Sequence, residues 1–447
     1  MTARRRQRPA SEGPLAVIDI GSAKMTTLIA HVGEDGRFEV TGIGHRQSEG
    51  IKAGFVVDMA AAAHALRASV DQAERLAGVP VERAIVSVNI APMVNASTVV
   101  ALALNGAEVT PKVIERLHQA ARLRFQRWLQ GAQAEDGAEI AVAGSTGQPG
   151  TLAPLHLRPV LWRLDEVDSP HAPIGLKGER IELAVQMLAV PRAPLANLAG
   201  LVARAHLKPQ AHVAAPFAAG LAALTPEERE LGAAVLDIGA GRTALGIFAG
   251  GRFLYGDSLP LAGAAITRDI AEGLLVPPAQ AERLKCLHGH AAAAGAGRQE
   301  TIELRRIGDG LRDELVSVPV ARLDAIIAAR VAEILEMAVE RLAAGGFAGP
   351  AARRVVVVGG AAQLAGLDEA LLRLRPGWSI RIGRPLGVLG LAEATQGPAF
   401  AVAAGLLKAA AGLDEEIAVD GAGPRAVPAG APVGGLAGIG RWIKENF

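Results

Sequence analysis

Apolar positions along this chain follow two periods, and the switches between them mark out its elements. Leu15-Ala16-Val17-Ile18-Asp19-Ile20 is a short apolar run of the buried-strand kind, and Met25 to Ala30 is a second one directly after it. Ala60 to Ala77 then moves to helical spacing, with Leu66, Val70, Ala73 and Ala77 on one face and Gly78-Val79-Pro80 as the stop. Glu82 to Leu104 returns to strand-like β-branched runs. Thr110-Pro111 opens a helix carrying Ile114, Leu117, Ala121 and Phe125. Gly131 to Gly150 has no period and predicts a surface loop. Further on, Pro277-Pro278 opens a short helix, and Ala321 to Leu342 predicts a long one with Leu323, Ile327, Val331, Ile334, Ala338 and Leu342 buried. Val355 to Val358 is an apolar strand ending in Gly359-Gly360, and Pro398 opens a final Ala-rich helix to about Ala411.

The first strand pair recurs. Ala234-Val235-Leu236-Asp237-Ile238-Gly239, followed by Leu245 to Ala249, repeats the strand, Asp-Ile-Gly turn and strand of residues 15–30, displaced by 218 residues. Two related α/β lobes, each opened by a hairpin, are the simplest reading. The length of 447 residues agrees, since it holds about three domain-sized units.

Composition narrows the function classes. Hydrophobic residues make up 50% and charged residues 20%, enough apolar surface for a large core. Lys and Arg total 46 against 45 Asp and Glu, and aromatics are 3%, so neither a general attractive field nor a stacking platform for nucleic acid is expected. The single Cys286 makes no internal disulfide and predicts a small buried residue. The basic start, Arg4-Arg5-Arg6-Gln7-Arg8, is followed by no apolar stretch of signal-peptide type, and no run reaches the roughly 18 apolar residues of a membrane span.

The repeated Asp-x-Gly turns carry the candidate chemistry. A nucleoside triphosphate with its metal needs a carboxylate near the metal's water shell, and backbone N–H groups converging where side chains would obstruct. One such turn is an ordinary hairpin feature. Two of them, each behind a buried strand, with Gly359-Gly360 at the end of a third, can grip a nucleotide from both sides.

This constellation resembles the actin-like ATPase superfamily and, within it, the FtsA family of bacterial cell-division proteins. The carriers are the two turns, the run Leu224-Thr225-Pro226-Glu227-Glu228-Arg229-Glu230-Leu231-Gly232, the run Gly359-Gly360-Ala361-Ala362-Gln363-Leu364, and Arg381-Ile382-Gly383 before Pro385-Leu386. The resemblance implies a two-lobed actin-like, ribonuclease-H-like duplicated α/β fold that binds ATP with Mg2+. It places the first phosphate turn at Asp19, Gly21, Ser22 and Lys24, the second at Asp237, Gly239, Gly241 and Thr243, the adenosine loop at Gly359, Gly360 and Ala361, and a ribose and base pair at Glu282 and Lys285. Asp19 and Asp237 are the candidate carboxylates for Mg2+.

The implied domains are a basic arm at 1–14, a first lobe at 15–81 completed by about 172–210 and 385–411, and an inserted family-specific subdomain at 82–171. A second lobe follows at 211–264, completed by about 340–384, with an outer subdomain at 265–339, a flexible linker at 412–434 and a tail helix at 435–447. Two departures from the family pattern stand out. Arg242-Thr243-Ala244 replaces the usual Gly-Thr continuation and following Asp, leaving Arg242 either on phosphate oxygens or in solvent. Arg158 to Trp162 lacks the Gln or Glu that orients an attacking water, which implies ATP binding with weak or no hydrolysis.

In the tail, Leu436, Ile439, Ile443 and Phe447 form a stripe at spacings of 3, 4 and 4, flanked by Trp442, with Arg441 and Lys444 for lipid headgroups. By resemblance this is a membrane-targeting helix. At about 1.5–3 kcal/mol per fully buried apolar side chain, less the cost of ordering, one tail binds weakly, so self-assembly is needed for avidity. The resemblance implies a peripheral protein on the cytoplasmic face of the inner membrane at the division site. Its partners would be further copies of itself, membrane lipid, the tubulin-like FtsZ and, through the inserted subdomain, other division proteins. A pilus-assembly adaptor on the same fold would not need the tail, and a sugar or acetate kinase would need a catalytic Asp that nothing here locates.

Overall fold

The computed structural model describes residues 13–33, 37–131, 140–292, 300–305, 315–347, 353–411 and 417. Three sheets organise it. The first contains β1 (Leu15–Ile20), β2 (Lys24–Val32), β3 (Phe38–Gln47), β6 (Arg83–Val88), β12 (Lys208–Ala214) and β20 (Val388–Leu389), in the order β12-β6-β1-β2-β3-β20. The third contains β13 (Ala233–Ile238), β14 (Thr243–Ala249), β15 (Arg252–Leu259), β18 (Arg354–Val358) and β19 (Ser379–Ile382), in the order β15-β14-β13-β18-β19.

These two sheets share one plan. In each, the opening strand pairs antiparallel with the next, as Asp19 opposite Thr26 and Asp237 opposite Ala244, and parallel with a later strand, β6 or β18. Strands closed on both faces read as continuous apolar runs, and β13 is buried at every position.

The second sheet is β7 (Val94–Ala103), β8 (Ala141–Gly144), β9 (Leu152–Leu164), β10 (Val167–Ser169) and β11 (Arg180–Pro191), in the order β10-β9-β11-β7-β8. It does not coincide with the inserted unit expected at 82–171. β6 pairs with β1 in the first sheet, β11 pairs with both β7 and β9 in the second, and β12 joins β6 in the first sheet. Strand runs alone do not reveal which sheet a strand will join. Two short hairpins complete the β structure: β4 (Ile51–Lys52) with β5 (Phe55–Val56), and β16 (Thr301–Arg305) with β17 (Leu315–Pro319).

Among the described residues ten helices cover the sheets: α1 (Met59–Ala77), α2 (Pro111–Leu129), α3 (Arg192–Arg204), α4 (Ala215–Ala223), α5 (Pro226–Leu231), α6 (Gly263–Leu274), α7 (Pro278–His288), α8 (Val320–Ala344), α9 (Leu367–Leu374) and α10 (Ala401–Ala410). Caps fix several ends. The Asp58 side chain accepts from the Ala60 and Ala61 N–H groups, and Gly78 closes α1 in the left-handed region. Thr225 and Glu228 form a reciprocal capping box on α5, and Arg381 of β19 reaches Glu228 at 2.6 Å, so two separated signature runs meet.

Three expectations change. Part of the loop predicted at 131–150 is a strand, β8, whose pairing with β7 supplies the order its sequence lacks. Within the linker expected at 412–434, Ile417 is 3% exposed in the core under the second sheet, and its N–H donates to the Leu157 carbonyl at 2.8 Å. Cys286 is exposed, because it sits on the outward face of α7. Among the described residues no helix is long and apolar enough to cross a membrane.

Candidate functional site

The two Asp-Ile-Gly turns face one cleft. Each closes with the same bond: Gly21 N–H donates to the Lys24 carbonyl and Gly239 N–H to the Arg242 carbonyl, both at 3.0 Å. Lys24 and Arg242 are therefore equivalent positions of the duplication. The second turn is also bound to the start of α6, since Gly263 and Ala264 N–H groups donate to the Gly239 and Ala240 carbonyls at 3.0 and 2.8 Å. A cavity of about 580 Å³ opens there, lined by Ser22 and Ala23 of the first turn, Ala240 of the second, Ala264, Thr267 and Arg268 of α6, and Glu282 and Lys285 of α7. That volume falls in the range of small-molecule sites, roughly 300–1,000 Å³.

Behind the turns lie three charged groups, Asp19, Lys24 and Asp237, none of which lines the cavity itself. Asp19 is held by the Ser87 hydroxyl, which donates to its Oδ1 at 2.8 Å, while Ser87 Oγ accepts from Ile20 N–H at 3.0 Å. Burial raises the Asp19 pKa, against the opposing pull of the Ser87 bond and the Lys24 charge. Burial, helped by the Asp19 carboxylate and opposed by Lys24, lifts Asp237 to about 7. Lys24 is pushed down to about 8 by burial despite attraction from both carboxylates, and its ammonium lies 3.2 Å from the Phe400 ring centroid. A half-buried Asp19 whose charge raises the pKa of the buried Asp237, with one lysine near them, is a donor set suited to a divalent cation.

On the opposite wall, Lys285 Nζ donates to Glu282 Oε2 at 2.7 Å, to Thr267 Oγ1 at 2.8 Å and to the Gly263 carbonyl at 3.2 Å. Thr267 also bonds Glu282. Burial raises the Glu282 pKa, but the Lys285 and Thr267 bonds outweigh it and hold the group low. The i, i+3 pair expected on α7 is thus a buttressed group on the cavity wall.

The adenosine-loop glycines flank the cleft without lining the cavity. Gly359 has φ +93°, its N–H donates to the Pro398 carbonyl at 3.0 Å, and a Cβ there would fall 2.5 Å from Asp237 Oδ1. Gly360 and Ala361 follow in a single 3₁₀ turn.

Other residues singled out in the sequence lie away from the cavity. Thr243 is fully buried and gives its hydroxyl to the Leu261 carbonyl at 2.7 Å, so it braces the turn and does not face the cavity. Arg158 to Trp162 lie in β9, where the Arg158 guanidinium stacks 4.1 Å over the Phe217 ring and Trp162 is buried; none of the five lines the cavity. Arg242 is neither solvated nor turned into the cavity. Reading the sequence missed Ser87, Thr267, Arg268 and Phe400, which carry no local motif. The expected membrane-binding residues Leu436, Ile439, Trp442, Ile443 and Phe447 lie outside the described residues.

Comparison with known proteins fixes the family. Cell division protein FtsA of Agrobacterium fabrum is 35% identical over 444 residues, spanning 97% of this chain and 95% of the relative. The chain belongs to the FtsA family. The FtsA family profile matches residues 234–405, which contain the second turn, α6, α7 and the adenosine loop. Cell division protein FtsA of Escherichia coli is 28% identical, over 87% of this chain and 88% of its own length. Among solved structures, the PilM-PilN type IV pilus biogenesis complex is similar at TM-score 0.59 and 19% identity, covering 90% of this chain and 99% of its own. MreB 5 of Spiroplasma citri bound to AMPPNP is similar at TM-score 0.52 and 12% identity, covering 91% of this chain and 98% of its own. At these identities the likeness is one of fold: this FtsA-family chain has the two-lobed actin-like architecture.

Proposed function

We propose that this chain binds ATP with Mg2+ between its lobes, polymerises on the cytoplasmic face of the inner membrane at the division site, and tethers the FtsZ ring there through its tail. The observation that carries the nucleotide reading is the cavity between the repeated turns, with Ser22 and Ala240 on one side and the Glu282–Lys285 pair on the other. The MreB 5 relative is bound to AMPPNP in one structure and to ADP in another, which supports a nucleotide in the matching cleft. Backbone N–H groups of the turns would receive phosphate oxygens, and Lys24 would add a cation.

A bound Mg2+ would supply charge neutralisation on the phosphates. Asp19 and Asp237 would hold it through its water shell, since a nearby divalent charge relieves the burial that now favours their protonated forms. Because Arg158 to Trp162 lie in β9 and away from the cavity, their lack of Gln or Glu does not bear on hydrolysis at this site. FtsZ, further copies of the chain, lipid and other division proteins are the partners this reading assigns.

Liposome co-sedimentation tests it, using full-length protein and protein truncated before Leu436, with and without ATP, on vesicles containing anionic phospholipid. The full chain should pellet with ATP and drag added FtsZ with it, and the truncated chain should stay in the supernatant. Equal pelleting of both chains would remove the tether.

A further inference from the structure

Arg242 occupies, in the second turn, the place that Lys24 holds in the first, yet its side chain goes elsewhere. It is 4% exposed. Its Nε donates to Ser258 Oγ at 2.7 Å and its NH2 group to the Ser258 carbonyl at 3.2 Å, both on β15 of the same lobe. Its NH1 group crosses the cleft to the Ala53 carbonyl at 2.9 Å, in the β4–β5 hairpin of the first lobe. Phe55 of that hairpin has its ring centroid 5.8 Å from the guanidinium carbon. Ser258 Oγ in turn donates to Asn89 Oδ1 at 2.6 Å, just past β6 of the first sheet. One side chain therefore joins the second turn to the β4–β5 hairpin of the opposite lobe directly and, through Ser258, to Asn89.

The first turn enters the same junction. Gly54 N–H, next to Ala53, donates to Ser22 Oγ at 3.3 Å, and a Cβ on Gly241 would lie 2.5 Å from that hydroxyl. Gly54 itself has φ +78°, and a Cβ there would meet the Asn89 carbonyl oxygen at 2.1 Å and Arg242 Cδ at 2.9 Å. Ala53 takes φ +46°, a conformation that L residues adopt only when their surroundings impose it. The fit is close on every side, and Arg242 is its centre.

The charge is under-compensated. Among the described residues the three acceptors of the guanidinium are neutral, and Asp257, a carboxylate that acts on its charge, already accepts from Ser145, Tyr255 and Arg341. A buried cation with neutral partners is expensive unless an anion approaches.

We propose that Arg242 is a positioning residue that latches the β4–β5 hairpin to the second phosphate turn, so that the two turns close on an anionic phosphate chain as one unit. This rests on the nucleotide reading above for its ligand, but not for the latch itself.

The test uses full-length protein with Arg242→Met, Arg242→Lys and Ser258→Ala. Hydrogen–deuterium exchange of residues 50–57, measured without nucleotide, should rise at least about tenfold in Arg242→Met, the equivalent of losing about 1.4 kcal/mol of local protection, and less in Arg242→Lys. Release of a fluorescent ATP analogue should accelerate by a similar factor in Arg242→Met, with partial rescue in Arg242→Lys. If 50–57 exchanges at the wild-type rate in Arg242→Met, the latch is wrong. If exchange rises but wild-type protein binds no analogue, the latch stands and the nucleotide reading fails. Should Arg242→Met not fold, Ser258→Ala removes the Nε acceptor together with that hydroxyl's own bond to Asn89 and is read by the same two measurements, with wild-type exchange and release again overturning the proposal.

Discussion

Asp237 is a carboxylate kept in a place that disfavours its charge, and this gives it a pH signature. Its native pKa, about 7, lies above the unfolded value near 4. Between those values the native state holds a proton that the unfolded chain has lost, so this group's contribution to stability is full below pH 4 and is lost as pH rises through 7. Thermal melts of metal-free, nucleotide-free protein from pH 5 to 8 should therefore flatten in Asp237→Asn relative to wild type. Mg2+-nucleotide affinity should move the other way, rising with pH through 7 in wild type, and Asp237→Asn should remove that rise; an unchanged titration would mean that Asp237 does not face the bound metal. Gly359 gives a steric counterpart. With φ +93° and a Cβ position 2.5 Å from Asp237 Oδ1, Gly359→Ala adds strain of about 1–3 kcal/mol at the cleft, to be read as a lowered melting temperature and weakened nucleotide binding together. The Asp-x-Gly turns were legible because a turn is specified by adjacent residues. Thr243 and Arg242 were not, because what they do is decided by Leu261 and by Ala53, 189 residues away.

The same division between local and distant causes holds for whole elements. Helices α1, α2, α7 and α8 follow from periodicity with caps or an N-terminal proline, and their predicted buried positions Leu66, Leu117, Ile327 and Leu342 are fully buried. Strand β8 is four residues, Ala-Val-Ala-Gly, without alternation; only its pairing with β7 makes it a strand. Ile417 is a sharper case, since its surroundings in sequence are those of a linker while its side chain lies in the core that contains Phe125, Leu129 and Leu157. If that contact holds the chain beyond α10, Ile417→Ala should cost about 2 kcal/mol or more in urea unfolding, in line with other buried Ile truncations. A midpoint equal to wild type would mean that the chain leaves the body at Ala411 instead.

At the scale of the molecule, the second sheet is fastened to the third by buried polar groups, not merely carried by the first. Asn95 of β7 receives the Gly256 N–H at 3.0 Å and donates to the Gly256 carbonyl at 2.8 Å, so one side chain completes the free edge of β15 as a neighbouring strand would. Gln186 of β11 donates to the Leu254 carbonyl. One residue further along β15, the fully buried Asp257 accepts from Ser145 beyond β8, from Tyr255, and from Arg341 of α8 at 3.3 Å. Ser258, its neighbour, is the residue that Arg242 grips, so the second sheet and the second Asp-Ile-Gly turn are two side chains apart on a single strand. An appended module with its own core would melt by itself, whereas this arrangement predicts a joint transition. Asp257→Ala leaves the buried Tyr255 hydroxyl and Ser258 N–H without their acceptor, while Arg341 keeps Ser145, and should cost about 1–3 kcal/mol. Calorimetry on the nucleotide-free protein should show the loss as one transition moved to lower temperature. If the variant instead splits the endotherm, with a separate low-temperature step for residues 94–191, the second sheet folds independently and its link to the cleft through β15 is incidental.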